Sequence, residues 1–204
     1  TDVFHYTTGD EEPVIHRVKT VDGERNFIQN LKEVKDREAY RGRIFFRWED
    51  GEGIYGLGQA EEGIYNYRGH NQFLYQHNMR IPMPLFVSDK GYGVLVDCCS
   101  LMVFHDEVSD KKEQEAKESY LFLDTVDQID TYFLGGGSMD GVIHDYRYLT
   151  GKAQLLPKWA YGYVQSKEQY YTGRELTDVV ERYRKEQIPL DLVVQDWNTW
   201  EPGN

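Results

Sequence analysis

Cysteines, clustered histidines and long apolar runs are all scarce in this 204-residue sequence, and each scarcity excludes a class of protein. The two cysteines, Cys98 and Cys99, are adjacent, so they offer neither a disulfide framework nor a metal-binding or redox CxxC pair. This usage favours a reducing, cytoplasmic compartment. The six histidines are scattered, which argues against a metal site. No apolar stretch is long enough to span a bilayer.

Several catalytic signatures are missing as well. The sequence contains no P-loop, no HExxH and no Gly-x-Ser-x-Gly. Gly56 and Gly58 lack the third glycine and the helix of a dinucleotide-binding fingerprint, so a nucleotide-binding enzyme is rejected and no cofactor is predicted. The net charge of −12 and pI of about 4.9 would repel polyanions, which excludes nucleic acid and anionic membranes as favoured partners.

Aromatic residues, in contrast, are abundant at 14% of the chain, with 16 tyrosines and 4 tryptophans. Two interpretations are open. Tyrosine and phenylalanine fill β-strands readily, because their flat side chains pack well on a pleated surface. Exposed aromatic rings also suit stacking on sugar rings or bases.

Residues 1–135 alternate short apolar segments with turn signals. Segments 83–88 and 92–97 flank Asp89-Lys90-Gly91, which predicts a β-hairpin. Further strands are predicted at 43–48, 101–105, 120–123 and 128–134. Short strands separated by turns are typical of a β-sandwich, so residues 1–135 are assigned to an incomplete N-terminal sandwich domain.

Two segments of this region each have more than one interpretation. Residues 109–118 are densely charged, which indicates a solvated connection or an exposed hairpin end rather than a binding tail. Residues 56–78 begin with a predicted tight turn at Gly56-Leu57-Gly58. They are interpreted either as a long hairpin with satisfied polar groups or as part of a site. The polar and aromatic residues concerned are Tyr65, Tyr67, Arg68, His70, Gln76, His77 and Asn78.

The pattern changes from β to mixed after the break at 135–138. Residues 136–157 are assigned to a linker helix, with apolar residues at helical spacing and Gly151 at its end. Residues 159–165 are predicted to form a strand. Thr172 and Glu175 then fit a capping box that starts an amphipathic helix ending before Pro189, and an apolar strand begins at Leu190.

This strand–helix–strand order predicts a right-handed βαβ unit with parallel strands. One such unit cannot bury its own sheet, so residues 158–204 are interpreted as the start of a larger α/β domain, and the chain as a piece of a longer protein.

The carboxyl ends of the two parallel strands mark the expected site, because α/β folds place ligand chemistry there. The second strand delivers Asp196 and Trp197. A carboxylate can accept hydrogen bonds from two sugar hydroxyls, and an indole can cover an apolar ring face. Alternatively, Asp196 caps a following helix and the indoles of Trp197 and Trp200 pack in the core.

Six segments occur in order that together closely resemble family 31 of the glycoside hydrolases. They are Tyr55-Gly56-Leu57-Gly58-Gln59, Gly91-Tyr92-Gly93-Val94-Leu95, Tyr132-Phe133-Leu134-Gly135-Gly136, the run from Gly151 to Gly162, Ile188-Pro189-Leu190-Asp191 and Gln195-Asp196-Trp197. The resemblance implies a galactose-mutarotase-like β-sandwich followed by the first βαβ unit of a (β/α)8 barrel. It also implies an enzyme that retains anomeric configuration through two aspartates, with carboxyl groups roughly 5 Å apart.

In this family both catalytic aspartates come from later barrel strands, so no catalytic residue is assigned here, and both are expected downstream of Asn204. Asp196 is not assigned as the nucleophile, since Thr199 stands where the nucleophile signature has Glu. The resemblance implies that Asp196 binds hydroxyls of the sugar in subsite −1 and that Trp197 forms the neighbouring wall. Tyr170 matches an aromatic after the first barrel strand. In many relatives a loop of the sandwich contributes an Asp to the mouth of the site. Asn78 is the closest position in this sequence, and it departs from the family pattern because it is Asn instead of Asp.

The leading hypothesis is therefore the N-terminal part of a retaining α-glycosidase, most like the α-xylosidase branch. Its substrate would be terminal, non-reducing α-linked xylose or glucose in an oligosaccharide. The chain alone would be inactive, because both catalytic carboxylates are expected elsewhere. The alternative is a non-catalytic carbohydrate-binding or interaction module with a β-sandwich fold. Oligomeric state is not predicted.

Overall fold

The protein is built mostly of β-strands. The computed structural model of the chain describes residues 1–21, 23–106 and 119–197. The strands are β1 (Asp2–Thr7), β2 (Ile15–Thr20), β3 (Gly23–Ile28), β4 (Lys32–Glu38), β5 (Tyr40–Phe46), β6 (Ile54–Gln59), β7 (Gln72–Leu74), β8 (Ile81–Ser88), β9 (Gly93–Asp97), β10 (Met102–His105), β11 (Ser119–Val126), β12 (Asp130–Leu134), β13 (Val164–Lys167) and β14 (Leu192–Gln195). The helices are α1 (Met139–Thr150) and α2 (Gly173–Lys185), with a 3-10 turn at Lys158–Tyr161.

The chain divides into two compact units. The first combines Thr1–His5 with Lys35–Ala153, and the second combines Tyr6–Val34 with Gln154–Asn204, described here as far as Trp197.

Two four-stranded sheets form the β-sandwich of the first unit. One has the strand order β5-β11-β10-β7, and the other has the order β12-β9-β8-β6. The predicted hairpin is confirmed, since β8 and β9 pair antiparallel with Phe86 opposite Val94. Alternate side chains of both sheets meet in one apolar cluster, in which Ile54, Phe104 and Leu123 are fully buried.

Helix α1 covers the other face of the second sheet. Val142 is fully buried against Leu85, Val87 and Leu134. Ser138 caps the helix by accepting a hydrogen bond from the Gly141 N–H, as helix starts favour. The predicted linker helix therefore packs on the sandwich.

Gly56 and Gly58 lie inside β6, so the predicted tight turn is wrong. The register with β8 shifts between them, which marks a β-bulge. Both have positive φ, 107° and 93°, and a Cβ on Gly58 would come within 2.1 Å of the Ile81 carbonyl oxygen. Glycine is needed there because a neighbouring strand passes close to the backbone.

Buried polar groups tie the loops of the sandwich together. The Glu52 carboxylate is 4% exposed and accepts hydrogen bonds from Ser88 Oγ at 2.5 Å, Tyr92 OH at 2.7 Å and the Glu49 N–H at 2.7 Å. Burial would raise the pKa of Glu52, but these hydrogen bonds outweigh it and the pKa is lowered. Glu52 is therefore held as an anion inside the sandwich.

Arg68 joins a second polar group. Its Nε donates to Asp106 Oδ2 at 3.1 Å, while Trp48 Nε1 donates to Asp106 Oδ1 at 3.0 Å. The neighbouring Tyr67 is 3% exposed in the core. For these members of the 56–78 segment, the interpretation as satisfied structural groups is therefore supported. The charged run at 109–118 lies outside the described residues.

In the second unit, β2 and β3 form an antiparallel hairpin with Val18 opposite Arg25. Further along the chain, β13 precedes α2 and β14 follows it, and these two strands pair parallel to each other. The predicted strand at 159–165 is wrong in its first part, because Lys158–Tyr161 form a 3-10 turn and pairing with β14 starts at Val164. The N-cap half of the capping box is confirmed, since Thr172 Oγ1 accepts from the Glu175 N–H at 3.1 Å. The Glu175 carboxylate accepts from the Tyr171 N–H, one residue before the N-cap. Among the described residues, no helix is both long and apolar enough to cross a membrane.

Candidate functional site

The candidate site lies where the parallel strands β13 and β14 end. Ser166 pairs with Val194 and Lys167 with Gln195, so the residues that follow both strands emerge at one edge of the sheet. Side chains alternate along a strand, so Ser166, Val194 and Asp196 share one face. This places the predicted acid beside a hydroxyl from the neighbouring strand.

Asp196 is half-buried and has partners on both carboxylate oxygens. Ser166 Oγ donates to Oδ2 at 3.4 Å, and the Trp197 N–H donates to Oδ1 at 2.8 Å. The first of these bonds is long, and a carboxylate oxygen can accept more than one hydrogen bond. The residues that a helix cap by Asp196 would involve, and Trp200, lie outside the described residues.

Trp197 follows directly and keeps 36% of its surface exposed. A partly exposed indole next to a carboxylate can hold a sugar: the ring covers C–H groups while the acid accepts hydroxyl hydrogens. The roles predicted for this pair stay predictions.

Tyr170 lies on the other side of the sheet. It is 4% exposed, its carbonyl accepts from Gln195 Nε2 at 3.2 Å, and Lys167 Nζ lies 5.2 Å over its ring. Lys167 also donates to Glu175 of α2 at 2.8 Å. Tyr170 is therefore on the helix-facing side, whereas Asp196 belongs to the opposite face.

Gln165 also points towards the helix. Its Oε1 accepts from Tyr163 OH at 2.8 Å and from Tyr183 OH of α2 at 2.7 Å. The hydrogen bond between the two tyrosines, followed by burial, raises the pKa of Tyr183. These groups hold β13 against α2 and do not add to the Asp196 face.

A cavity of about 260 Å³ lies at the start of α2 on this side. It is lined by Gln169, Tyr170, Tyr171, Thr172, Gly173, Leu176 and Gln195. The loop above it is fixed by the Tyr171 N–H, which donates to Glu175 Oε2 at 2.9 Å. No sequence pattern predicted which side of the sheet this loop would take.

Asn78 belongs to the first unit, in the turn before β8. It is exposed and lines a cavity of about 430 Å³ together with Gln59, Gln76, His77, Met79, Arg80 and Ile81. The His77 ring packs 4.7 Å from that of Tyr75, and Arg80 is ion-paired with Glu62. Amide and imidazole groups of this kind can bind hydroxyls.

Neither cavity carries the signature of a metal centre. Over the described ranges, no cluster of three or more His, Cys, Asp or Glu side chains is placed to hold a metal ion. The chemistry available at both places is that of hydrogen-bonding side chains and aromatic rings.

Comparison with known proteins gives a consistent result. A sequence profile described as the family 31 glycosyl hydrolase TIM-barrel domain matches residues 153–204. An alpha-xylosidase from Saccharolobus solfataricus is 39% identical over 181 residues, which cover 84% of this chain and 24% of that protein. Alpha-glucosidase 2 from Bacillus thermoamyloliquefaciens is 27% identical over 167 residues, covering 78% of this chain and 21% of that protein.

Solved structures agree at the level of fold. A xylosidase from Aspergillus niger has a TM-score of 0.66 at 22% identity, covering 90% of this chain and 26% of that one. A family 31 alpha-xylosidase from a soil metagenome, complexed with xylose, has a TM-score of 0.65 at 23% identity, covering 91% and 32%. The chain thus spans about a quarter of the length of the curated relatives it matches.

Proposed function

Because this chain belongs to family 31 of the glycosyl hydrolases, we propose that it is the N-terminal part of a retaining α-glycosidase. The enzyme would remove terminal, non-reducing α-linked xylose or glucose from oligosaccharides, with α-xylosidase as the favoured activity. The observation that carries this proposal is Asp196, half-buried at the carboxyl end of a parallel strand with Trp197 beside it. The 39% identity to an alpha-xylosidase supports the choice of xylose.

In this proposal residues 1–135 are the sandwich domain, 136–157 the linker and 158–204 the start of the (β/α)8 barrel. The parallel pairing of β13 and β14 around α2 is what a barrel's first unit requires. The face that carries Ser166, Val194 and Asp196 would then point into the barrel.

Asp196 would act by binding, not by bond cleavage. Its carboxylate would accept hydrogen bonds from two hydroxyls of the sugar in subsite −1, and Trp197 would cover the ring face. The nucleophile and the acid/base would be two further carboxylates, roughly 5 Å apart, on later strands. Hydrogen bonds to ring hydroxyls that strengthen in the transition state raise the rate of cleavage.

Asn78 and Tyr170 take subordinate roles. Asn78, exposed and next to His77 in a polar cavity, would bind a hydroxyl on the leaving-group side. Tyr170 is buried beside α2, which suits support of the loop after β13 better than direct contact with a sugar.

The test is kinetic and uses the full-length enzyme with 4-nitrophenyl α-xyloside and α-glucoside. Asp196→Asn should lower kcat/KM about 10- to 100-fold, because charged hydrogen bonds are worth about 1.5–3 kcal/mol each. The matched control is Asp178→Asn, which changes an α2 surface carboxylate paired with Arg174 and should leave activity unchanged. An Asp196→Asn enzyme of normal activity would contradict the site.

A second experiment distinguishes part of an enzyme from an independent carbohydrate-binding module. The 204-residue chain alone should show no turnover of either substrate and only weak xylose binding by calorimetry. Clear turnover, or tight sugar binding by the chain alone, would overturn the proposal in favour of a self-sufficient enzyme or a binding module.

A further inference from the structure

The hairpin of β2 and β3 contains one basic side chain, Arg25, that is partly buried. Most of its side chains are exposed, but Arg25 is half-buried, as is Val18 directly opposite. The Arg25 guanidinium carbon lies 5.4 Å from the centre of the Trp197 ring. Both residues belong to the second unit. The hairpin therefore contacts the indole that follows the candidate acid.

We propose that Arg25 is a positioning residue for the sugar site, acting through Trp197 on Asp196. This inference rests on the proposed function. It adds a residue about 170 positions before the acid in sequence, on an element that none of the motifs described above includes.

Two contacts link Arg25 to the acid, and a third holds the acid from the neighbouring strand. A guanidinium over an indole is attracted by the ring's quadrupole, and Arg stacks flat on such a ring. Arg25 therefore limits the orientations of the Trp197 ring. The backbone N–H of Trp197 donates to Asp196 Oδ1 at 2.8 Å, and Ser166 holds the other oxygen at 3.4 Å. Rotation of the indole alone leaves this backbone donor in place, so Arg25 acts on the acid by anchoring the residue whose backbone carries the donor.

The same hairpin supplies a matched control. Arg17 is adjacent to Val18, lies 3.6 Å from Glu24 and has a side chain that is 65% exposed. It has the charge and the strand context of Arg25 without the indole. Arg17→Ala therefore tests what loss of a hairpin arginine does by itself.

The experiment compares Michaelis parameters of full-length variants on 4-nitrophenyl α-xyloside. Arg25→Ala should raise KM about 3- to 10-fold, which corresponds to about 0.6–1.4 kcal/mol and lies within the range of a cation–π contact, with kcat changed much less. Arg17→Ala should match the wild type. Arg25→Lys, which keeps a cation, should recover part of the loss, and Arg25→Gln should not. In a Trp197→Ala background, Arg25→Ala should have no further effect.

The outcomes are separable. If the wild type and Asp178→Asn turn over the substrate, Asp196→Asn is impaired and Arg25→Ala has a normal KM, then the role of Arg25 is wrong and the proposed function stands. If the wild type has no glycosidase activity, both fall. A fall in kcat at unchanged KM, equal in the Lys and Gln variants, would mark loss of folded protein and would also overturn the positioning role. Should Arg25→Ala not fold, the Lys and Gln pair decides.

Discussion

The two units of the chain use apolar residues differently. In the sandwich, both sheets contribute to one core, and side chains such as Phe104 and Leu123 are fully buried. In the second unit, the buried apolar side chains among the described residues are Tyr170 and Leu190, and the sheet residues Val164 and Leu192 are 41% and 38% exposed. The first unit thus has its core within the described chain, whereas the apolar face of the parallel pair is only partly covered by the described residues.

The largest effect should come from the core of the sandwich. Phe104→Ala should lower the free energy of unfolding by about 3–5 kcal/mol, because the side chain is 0% exposed and packs near Trp48, Tyr67 and Phe86. Phe73→Ala is the control: Phe73 sits on the neighbouring strand, 53% exposed, and should cost under about 1 kcal/mol. Urea unfolding followed by circular dichroism measures both. Equal losses would mean that the sandwich core is not where stability resides.

The sequence predicted best those elements whose pattern is local. The hairpin of β8 and β9 follows from alternation around Asp89-Lys90-Gly91, and the start of α2 follows from Thr172 and Glu175. The tight turn predicted at Gly56 and Gly58 is wrong because glycine is needed there for another reason: carbonyl groups of β8, a strand remote in sequence, lie too close to leave room for a Cβ. A glycine pair alone does not say whether it turns the chain or lets another strand approach.

For the site, the sequence predicted Asp196 and Trp197 at a strand end, since that depends only on strand order. It could not predict the side of the sheet taken by Tyr170. That side depends on the loop after β13, where Glu175 binds the Tyr171 N–H and Gln195 binds the Tyr170 carbonyl. These contacts join side chains to backbone groups and leave no periodic signal.

A smaller but pH-dependent effect should come from Glu52. Glu52→Gln should cost about 2 kcal/mol at neutral pH, because a neutral amide accepts the bonds from Ser88 and Tyr92 less strongly. The pKa of Glu52 is lowered in the folded state, so its contribution is present above the ordinary glutamate pKa and is lost as pH falls through the lower folded value. The difference from wild type should therefore narrow below about pH 4.

Unfolding midpoints from pH 7 to 3 measure this difference. Glu49→Gln is the control, because that side chain is 76% exposed and only 3.6 Å from Lys90. A constant Glu52→Gln deficit down to pH 3 would show that the carboxylate charge has no part in it.

The N-cap residues of the two helices, one in each unit, allow the stabilities of the units to be compared. Ser138 caps α1 and Thr172 caps α2, each with an N–H at 3.1 Å. Ser138→Ala should lower the global unfolding free energy by about 1 kcal/mol, because α1 is packed on the sandwich through Val142. Thr172→Ala should instead fray α2, which buries no residue completely, and speed hydrogen exchange in its first turn about fivefold. Identical global losses for both would show that the units unfold as one.

The smallest effect is expected on the open face of the parallel pair. Leu192 shares that face with Asp196 and is 38% exposed, so Leu192→Ser should cost the 204-residue chain under about 0.5 kcal/mol. Val96→Ser, at 1% exposure in the sandwich, should cost several times more. In the full-length enzyme the same Leu192→Ser change should cost about 2–3 kcal/mol, since the proposed barrel would bury this face. Denaturant midpoints of the 204-residue chain and of the full-length enzyme, each with and without the change, measure these costs. If Leu192→Ser were neutral in both proteins, the face beside Asp196 would stay exposed to solvent, and the site could not lie inside a barrel.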